Sequence, residues 1–194
     1  MAETLRVERE NFAEAMRATL DERVRGSMGN LFETIEKLAR RVGGNLTLGK
    51  VARAANQRLA FSRGLLNNDS NANNLKQLKA RGHQVGVVTD RSVETPIVWP
   101  ESWLNDVIAV AVFSCELGIR KPDPAIYLEV VRRLKVQPEM CTFIGDGGSN
   151  ELSGARALGM DTKMLIDPNL PDSDPLDVEV NWDGARIGSL AELL

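Results

Sequence analysis

The segment Thr142-Phe143-Ile144-Gly145-Asp146-Gly147-Gly148-Ser149-Asn150-Glu151-Leu152-Ser153-Gly154-Ala155 decides the fold. The apolar run from Cys141 to Ile144 reads as a strand. It ends in Gly145-Asp146, and a glycine turn leads into a helix that carries Glu151. Open α/β sheets bind ligands beyond the carboxyl ends of their strands, so Asp146 stands where such a sheet does its chemistry. Glu151, in the first turn of the next helix, can reach the same point. Two hard oxygen donors with room for water suit Mg²⁺ better than Zn²⁺. The plainer reading of Asp146 is an N-cap on the following helix. Gly147-Gly148 permits close approach to a ligand and favours the metal role.

Outward from this segment, the chain alternates between helix and strand from Leu65 onward. Asp69 or Ser70 caps a helix through Leu75 and Leu78, which Gly82 ends. Gln84 to Val88 is a short strand ending in Thr89-Asp90, and Val107 to Phe113 is the next. Asp123-Pro124 opens a helix with Ile126, Val130, Val131 and Leu134 inward, because Asp is a favoured N-cap and Pro suits the first helical position. Asn150 to Leu158 is a helix and Thr162 to Ile166 the final main strand. Residues 167–177, rich in Pro and Asp, read as a loop, and Ser189 to Leu194 as a closing helix. This alternation predicts an α/β fold with a parallel sheet and helices on both faces.

Before Leu65 the pattern is helical. Val7, Phe12, Ala15, Met16 and Leu20 recur at three- and four-residue spacings, as one helix face does. Gly26 and Gly29-Asn30 break that helix. Leu31, Ile35, Leu38 and Val42 mark a second, stopped by Gly43-Gly44. Thr47 caps a third, with Val51, Ala55 and Leu59 on its inner face. The arginines of this block are interleaved with Glu and Asp, which predicts a solvated, salt-bridged face. The block is too thin for an independent domain, so residues 1–64 read as a cap or insertion and 65–194 as the core.

Composition sets the limits. At 194 residues and 43% hydrophobic, the chain can bury a sizeable core. The 24 basic and 27 acidic residues give a net charge of −3, which argues against a dedicated nucleic-acid binder. No run approaches a membrane span and no apolar leader opens the sequence, so a cytoplasmic location is expected. Cys115 and Cys141 make no disulfide framework, and a buried, inert role is expected for Cys141. The single histidine, His83, precludes a histidine metal cluster and reads as a turn or surface residue.

Two further candidates lie upstream of Asp146. The Thr89 hydroxyl follows Val-Gly-Val-Val and can face the ligand edge. With Asp90 and the backbone amides of the next turn it is a candidate phosphoryl-binding element. Its plainer role is to cap a helix starting near Arg91. Lys121 lies in Gly118-Ile119-Arg120-Lys121-Pro122-Asp123-Pro124, just before a capped helix, where its ammonium can neutralise a phosphate or a carboxylate. The plainer reading is a solvated side chain.

Thr89 at a strand end, Lys121 in Lys-Pro-Asp-Pro, and Gly145-Asp146 with Glu151 resemble motifs two, three and four of the haloacid dehalogenase-like hydrolases. The resemblance runs from Leu65 to Leu194 in the family's order, and the helical block resembles the cap inserted after the family's first strand. It implies a Rossmann-like core and Mg²⁺-dependent attack by an aspartate on a phosphoester. By that resemblance Thr89 and Asp90 bind the phosphoryl group, and Lys121 steadies nucleophile and substrate charge. Asp146 is the main metal ligand, with Glu151 in place of the more usual Asp beside it. The family's opening Asp-x-Asp-x-Thr strand has no counterpart. Met1-Ala2-Glu3-Thr4-Leu5 looks like its tail, which places the nucleophile one residue before Met1 and Ala2 at the acid/base position. Ala there resembles the phosphonoacetaldehyde-hydrolase branch, which uses a cap lysine. Lys37 and Lys50 lie in the corresponding region.

A chain starting too late, a truncation turned binder, or a strand supplied from elsewhere each accounts for the missing motif. Two functions follow. One is a Mg²⁺-dependent phosphatase for a small phosphorylated metabolite. The other is a catalytically dead relative that binds a ligand or partner. A receiver-type domain shares the residue types, but it has no helical block and a different motif order. An open central edge would favour strand-mediated self-association, with a homodimer as the expected result.

Overall fold

The computed structural model describes residues 1–68, 71–166, 179 and 181–194. Its first half holds α1 (Ala2–Leu5), α2 (Arg9–Ala18), α3 (Leu20–Val24), α4 (Leu31–Arg41), α5 (Leu48–Leu66), α6 (Ala72–Ala80), β1 (Gly86–Thr89), α7 (Glu94–Val98) and α8 (Leu104–Val107). Then come β2 (Val110–Phe113), α9 (Ser114–Leu117), α10 (Pro124–Leu134), β3 (Thr142–Gly145), α11 (Glu151–Arg156), β4 (Asp161–Leu165) and β5 (Ala185–Ile187). Two compact units result. A helical unit takes Met1–Asn68, Asp90–Asn105 and Phe113–Gly118, and an α/β unit takes Asp69–Thr89, Asp106–Val112 and Ile119–Leu194.

In the helical unit α4 begins with a capping box. Asn30 Oδ1 accepts from the amides of Phe32 (2.9 Å) and Glu33 (3.1 Å), and Glu33 Oε2 accepts from the Asn30 amide (2.8 Å). Thr47 caps α5 as expected, its hydroxyl accepting from the Lys50 amide at 3.3 Å. Leu5, Met28, Ile35, Leu38, Ala39, Val51, Ala54 and Ala55 form a continuous buried cluster. The single first helix expected from Val7 to Leu20 is instead two, α2 and α3. Thr19 interrupts it: its hydroxyl donates back to the Ala15 carbonyl at 2.7 Å, and it joins α2 to α3 in a non-helical conformation.

The arginines divide into two groups. Arg25 with Asp21 and Arg41 with Glu22 are exposed pairs, as the interleaved charges predict. Arg23 is not: it is 7% exposed and donates to Thr19 Oγ1 (3.3 Å), Ser92 Oγ (3.1 Å) and the Met16 carbonyl (2.7 Å). Two of these partners, Thr19 and Met16, lie within the preceding helix α2 and its end, and only Ser92 comes from far along the chain.

In the α/β unit β3, β4 and β5 pair in parallel, with Phe143 opposite Thr162 and Lys163 opposite Ala185. β1 pairs with β2 in a second sheet, and no strand pairing joins the two sheets among the described residues. Helix α10 backs both. Gly86 of β1 lies so close that a Cβ would meet Val130 Cγ2 at 2.9 Å, and Tyr127 packs edge-on against Phe143 of β3 with centroids 5.4 Å apart. Asp123 and Pro124 start α10 as the sequence predicts, with Asp123 Oδ1 accepting from the Ala125 amide at 2.9 Å.

The structure departs from expectation at several points. Val107 closes helix α8 rather than opening a strand, because Asn105-Asp106 disfavours extended pairing and β2 begins at Val110. Helix α11 starts at Glu151, since Ser149 (φ 58°) and Asn150 (φ 51°) are left-handed. The short strand β5 follows Trp182, whose Nε1 donates to the Ala185 carbonyl at 3.1 Å. The expected cap at Asp69 or Ser70 and the loop at 167–177 lie outside the described residues. Among the described residues no helix is long and apolar enough to cross a membrane.

Candidate active site

Lys121, Asp146 and Glu151 come together beyond the end of β3. Lys121 Nζ donates to Glu151 Oε2 in an ion pair whose side chains are 12% and 5% exposed. Glu151 Oε1 accepts from the Gly147 amide at 3.3 Å. Gly145 makes this possible, because a Cβ there would collide with the Glu151 carboxylate. Burial pushes the Glu151 carboxyl above its ordinary range and Asp146 adds to the rise, while Lys121 and the Gly147 amide oppose it. The ion pair is therefore the counterweight that lets a carboxylate stand in this position. The plainer reading of Lys121 as a solvated side chain does not describe it.

Asp146 is exposed and turns Oδ1 to the Gly148 amide at 2.9 Å. That bond forms within the turn, and helix α11 receives its cap elsewhere. Glu179 accepts from the Leu152 amide (3.1 Å) and the Ser153 amide (2.8 Å). The backbone of Glu151 is held from the other side, where the Tyr127 hydroxyl donates to its carbonyl at 3.0 Å. Two consecutive left-handed residues that are not glycine, Ser149 and Asn150, carry local strain between the two carboxylates.

Thr89 ends β1, half-buried, and makes no hydrogen bond to this cluster among the described residues. It does not cap a helix near Arg91: α7 begins at Glu94, with Val93 before it and no side-chain cap. Asp90 is half-buried immediately beyond.

The donor set fits Mg²⁺. This ion keeps several waters and takes one or two carboxylates plus substrate oxygens. Asp146 is accessible to serve as a direct ligand. Glu151 is engaged by Lys121 and Gly147, so its charge acts from behind. No group of three or more His, Cys, Asp or Glu suited to enclosing a metal occurs among the described residues. Such a cage is what a fully protein-bound ion such as structural Zn²⁺ would need.

Other candidates resolve simply. Burial pushes the Cys115 thiol up to about 12, and Cys141 is raised for the same reason, so both stay protonated at neutral pH. The Lys37 and Lys50 ammonium groups donate to the carbonyls of Met28 (2.8 Å) and Asn45 (3.1 Å). Sequence reasoning missed Tyr127 and Glu179, which brace α11. It also missed the left-handed pair, although the run Gly-Gly-Ser-Asn is itself a turn signal.

The sequence profile of the haloacid dehalogenase-like hydrolases matches residues 2–159. A glyceraldehyde 3-phosphate phosphatase of Methanopyrus kandleri is 31% identical over 102 residues, which are 52% of this chain and 44% of that protein. A bifunctional riboflavin kinase/FMN phosphatase of Arabidopsis thaliana is 35% identical over 100 residues, 50% of this chain and 25% of that protein. Each match thus spans less than half of the curated relative. The solved 2-haloacid dehalogenase of Pseudomonas syringae pv. Tomato DC3000 superposes with a TM-score of 0.64 at 24% identity, covering 99% of this chain and 82% of that one. That likeness shows the fold. The cluster beyond β3, the order of its motifs and the matched profile agree: the chain belongs to the haloacid dehalogenase-like hydrolases.

Proposed function

We propose that this chain carries the phosphate-handling half of a Mg²⁺-dependent phosphatase acting on a small phosphorylated molecule. The observation that carries the reading is the buried Lys121–Glu151 pair beside the exposed Asp146. Mg²⁺, when bound, would supply Lewis-acid neutralisation of phosphoryl oxygens. Asp146 would hold it. Lys121, positioned by Glu151, would offset charge on the phosphoryl oxygens as the bond to the leaving group breaks. The Thr89 hydroxyl and the amides after it, with Asp90, would orient the phosphoryl group.

The test is release of phosphate from p-nitrophenyl phosphate, with and without Mg²⁺. Both the chain and a form extended ahead of Met1 by an apolar strand ending in Asp are assayed. Mg²⁺-dependent turnover that falls about 100-fold or more in Asp146→Asn and in Lys121→Met supports the phosphatase. Turnover indifferent to EDTA and to Asp146→Asn sinks it. A second reading, a binder on the same scaffold, draws on the fact that both Glu151 oxygens already have partners within the chain. It is favoured if neither form turns over while inorganic phosphate with Mg²⁺ still raises the Tm through Asp146.

A further inference from the structure

The turn that follows Thr89 in the chain, residues 91–94, is held by side chains of the helical unit to which it belongs. The Arg91 amide donates to Ser114 Oγ at 3.1 Å, and the Ser114 hydroxyl donates in turn to the carbonyl of Val24, the last residue of α3, at 2.6 Å. One residue earlier on α3, Arg23 Nη1 donates to Ser92 Oγ at 3.1 Å. Arg58 of α5 grips Glu94, the first residue of α7. Gly26, just beyond α3, lies so close to Cys115 that a Cβ would collide with the Cys115 carbonyl. The carboxyl end of α3 is therefore seated against Ser114 and Cys115, and through Ser114 on the turn.

Arg23 is aimed by its two other contacts. Its Nε donates to Thr19 Oγ1 at 3.3 Å and its Nη2 to the Met16 carbonyl at 2.7 Å. With all three nitrogens engaged the guanidinium has one orientation, in which Nη1 meets Ser92. These acceptors are all neutral, and enclosing a guanidinium among neutral groups costs more than enclosing an apolar side chain of its size. Packing alone therefore does not account for Arg23. Its effect falls on the turn. Ser92 is 5% exposed and Ser114 fully buried, so water does not compete for either bond. Ser114 occupies the Arg91 amide, whereas no described hydrogen bond engages the amides of Ser92 and Val93. A buried amide ordinarily has a partner, and successive turn amides form a cradle for phosphoryl oxygens.

We infer that Arg23 is a positioning residue: from α3 it holds Ser92 so that the turn after Thr89 presents the Ser92 and Val93 amides to a phosphoryl group. The inference rests on the phosphatase reading and adds to it that the helical unit sets phosphate affinity, through Arg23 on one side of the turn and Ser114 on the other.

The experiment titrates inorganic phosphate, with Mg²⁺ present, into the full chain and its variants, followed by calorimetry. Thr89→Val tests the underlying reading. A parent that binds no phosphate, or whose affinity survives Thr89→Val, overturns that reading and this inference with it. Where Thr89→Val abolishes binding, Ser92→Ala and Arg23→Met should each weaken phosphate about tenfold, the scale of one hydrogen bond to a charged group. The double variant should bind no more weakly than either single one, because both break the same link. Leu38→Ala, which loosens the buried centre of the same unit, should bind phosphate as the parent does. If Arg23→Met does not fold, Ser92→Ala, the smaller change, carries the test. Parental affinity in folded Ser92→Ala overturns the role of Arg23 and leaves the phosphatase reading standing. So do losses that add in the double variant, or a Leu38→Ala protein that loses phosphate to the same extent.

Discussion

The two units bury their chains by opposite plans. In the helical unit Leu5, Ile35, Leu38, Val51 and Ala54 are at most 1% exposed and face one another. In the α/β unit no residue of β1 or β3 is buried, although parallel strands are ordinarily the innermost layer of such folds. Its most deeply buried residues, Ile126, Tyr127, Leu152 and Ala155, lie instead on the helices α10 and α11. Stability in the first unit therefore resides at its centre. In the second it resides in the helical layer behind the sheets, and the strand ends that carry the candidate chemistry stay accessible.

Charge burial gives the largest test of this contrast. Arg58→Ala would leave Glu94, with a 4% exposed side chain, as a buried unpaired charge, so a loss of about 3–5 kcal/mol is expected from urea denaturation. Glu94→Gln leaves Arg58, 23% exposed, able to turn to water, and should cost less. Equal losses would show that Glu94 is not enclosed as described. Next, Leu38→Ala should cost about 2–5 kcal/mol and Val88→Ala of half-buried β1 about 1 kcal/mol, by the same measurement. If Val88 proves as costly as Leu38, the contrast between the units fails.

A third test sharpens the electrostatics of the α/β unit. In Lys121→Met, Glu151 loses its main counter-charge while burial still raises its carboxyl. A folded-state pKa above the unfolded one means that the native state holds the proton more tightly. Stability is then fully present below the ordinary carboxylate range and lost as pH rises through the raised value. Urea midpoints of this variant should fall between acid and neutral pH more steeply than those of the parent. The smallest expected effect has the opposite sign. Arg132 and Arg133 hold the half-buried Glu129 down to about 2, so its contribution is lost as pH falls from the ordinary carboxylate range toward that value. Glu129→Gln should flatten the acid limb of the stability curve slightly and leave neutral pH unchanged.

What the sequence disclosed depended on how far apart the interacting groups lie. Local signals read well: Thr47 and Asp123 cap the helices they announce, and Gly43 follows the end of α4 in a left-handed turn. Thr142–Gly145 is a strand ending where Asp146 begins the turn. Lys121 was legible through its Lys-Pro-Asp-Pro setting, but its partner Glu151 lies 30 residues on and appeared first as a metal ligand. Arg58 and Glu94 are 36 residues apart, so the arginine reads as one more charge on a helix face. Glu179 reaches back 27 residues to Leu152, a distance over which no capping pattern is visible. The short strand β5 carries no periodic signal in three residues, and its pairing with β4 defines it.

The single tyrosine of the chain, Tyr127, is fully buried on α10 and touches the candidate site twice. Its ring meets Phe143 in the strand that leads to Asp146, and its hydroxyl holds the Glu151 carbonyl. Biosynthetic fluorotyrosine would therefore place one ¹⁹F nucleus beside the cluster without changing any other residue. One resonance would then report the protonation of Glu151, the arrival of a cation at Asp146 and any shift of α11, each read from the same spectrum.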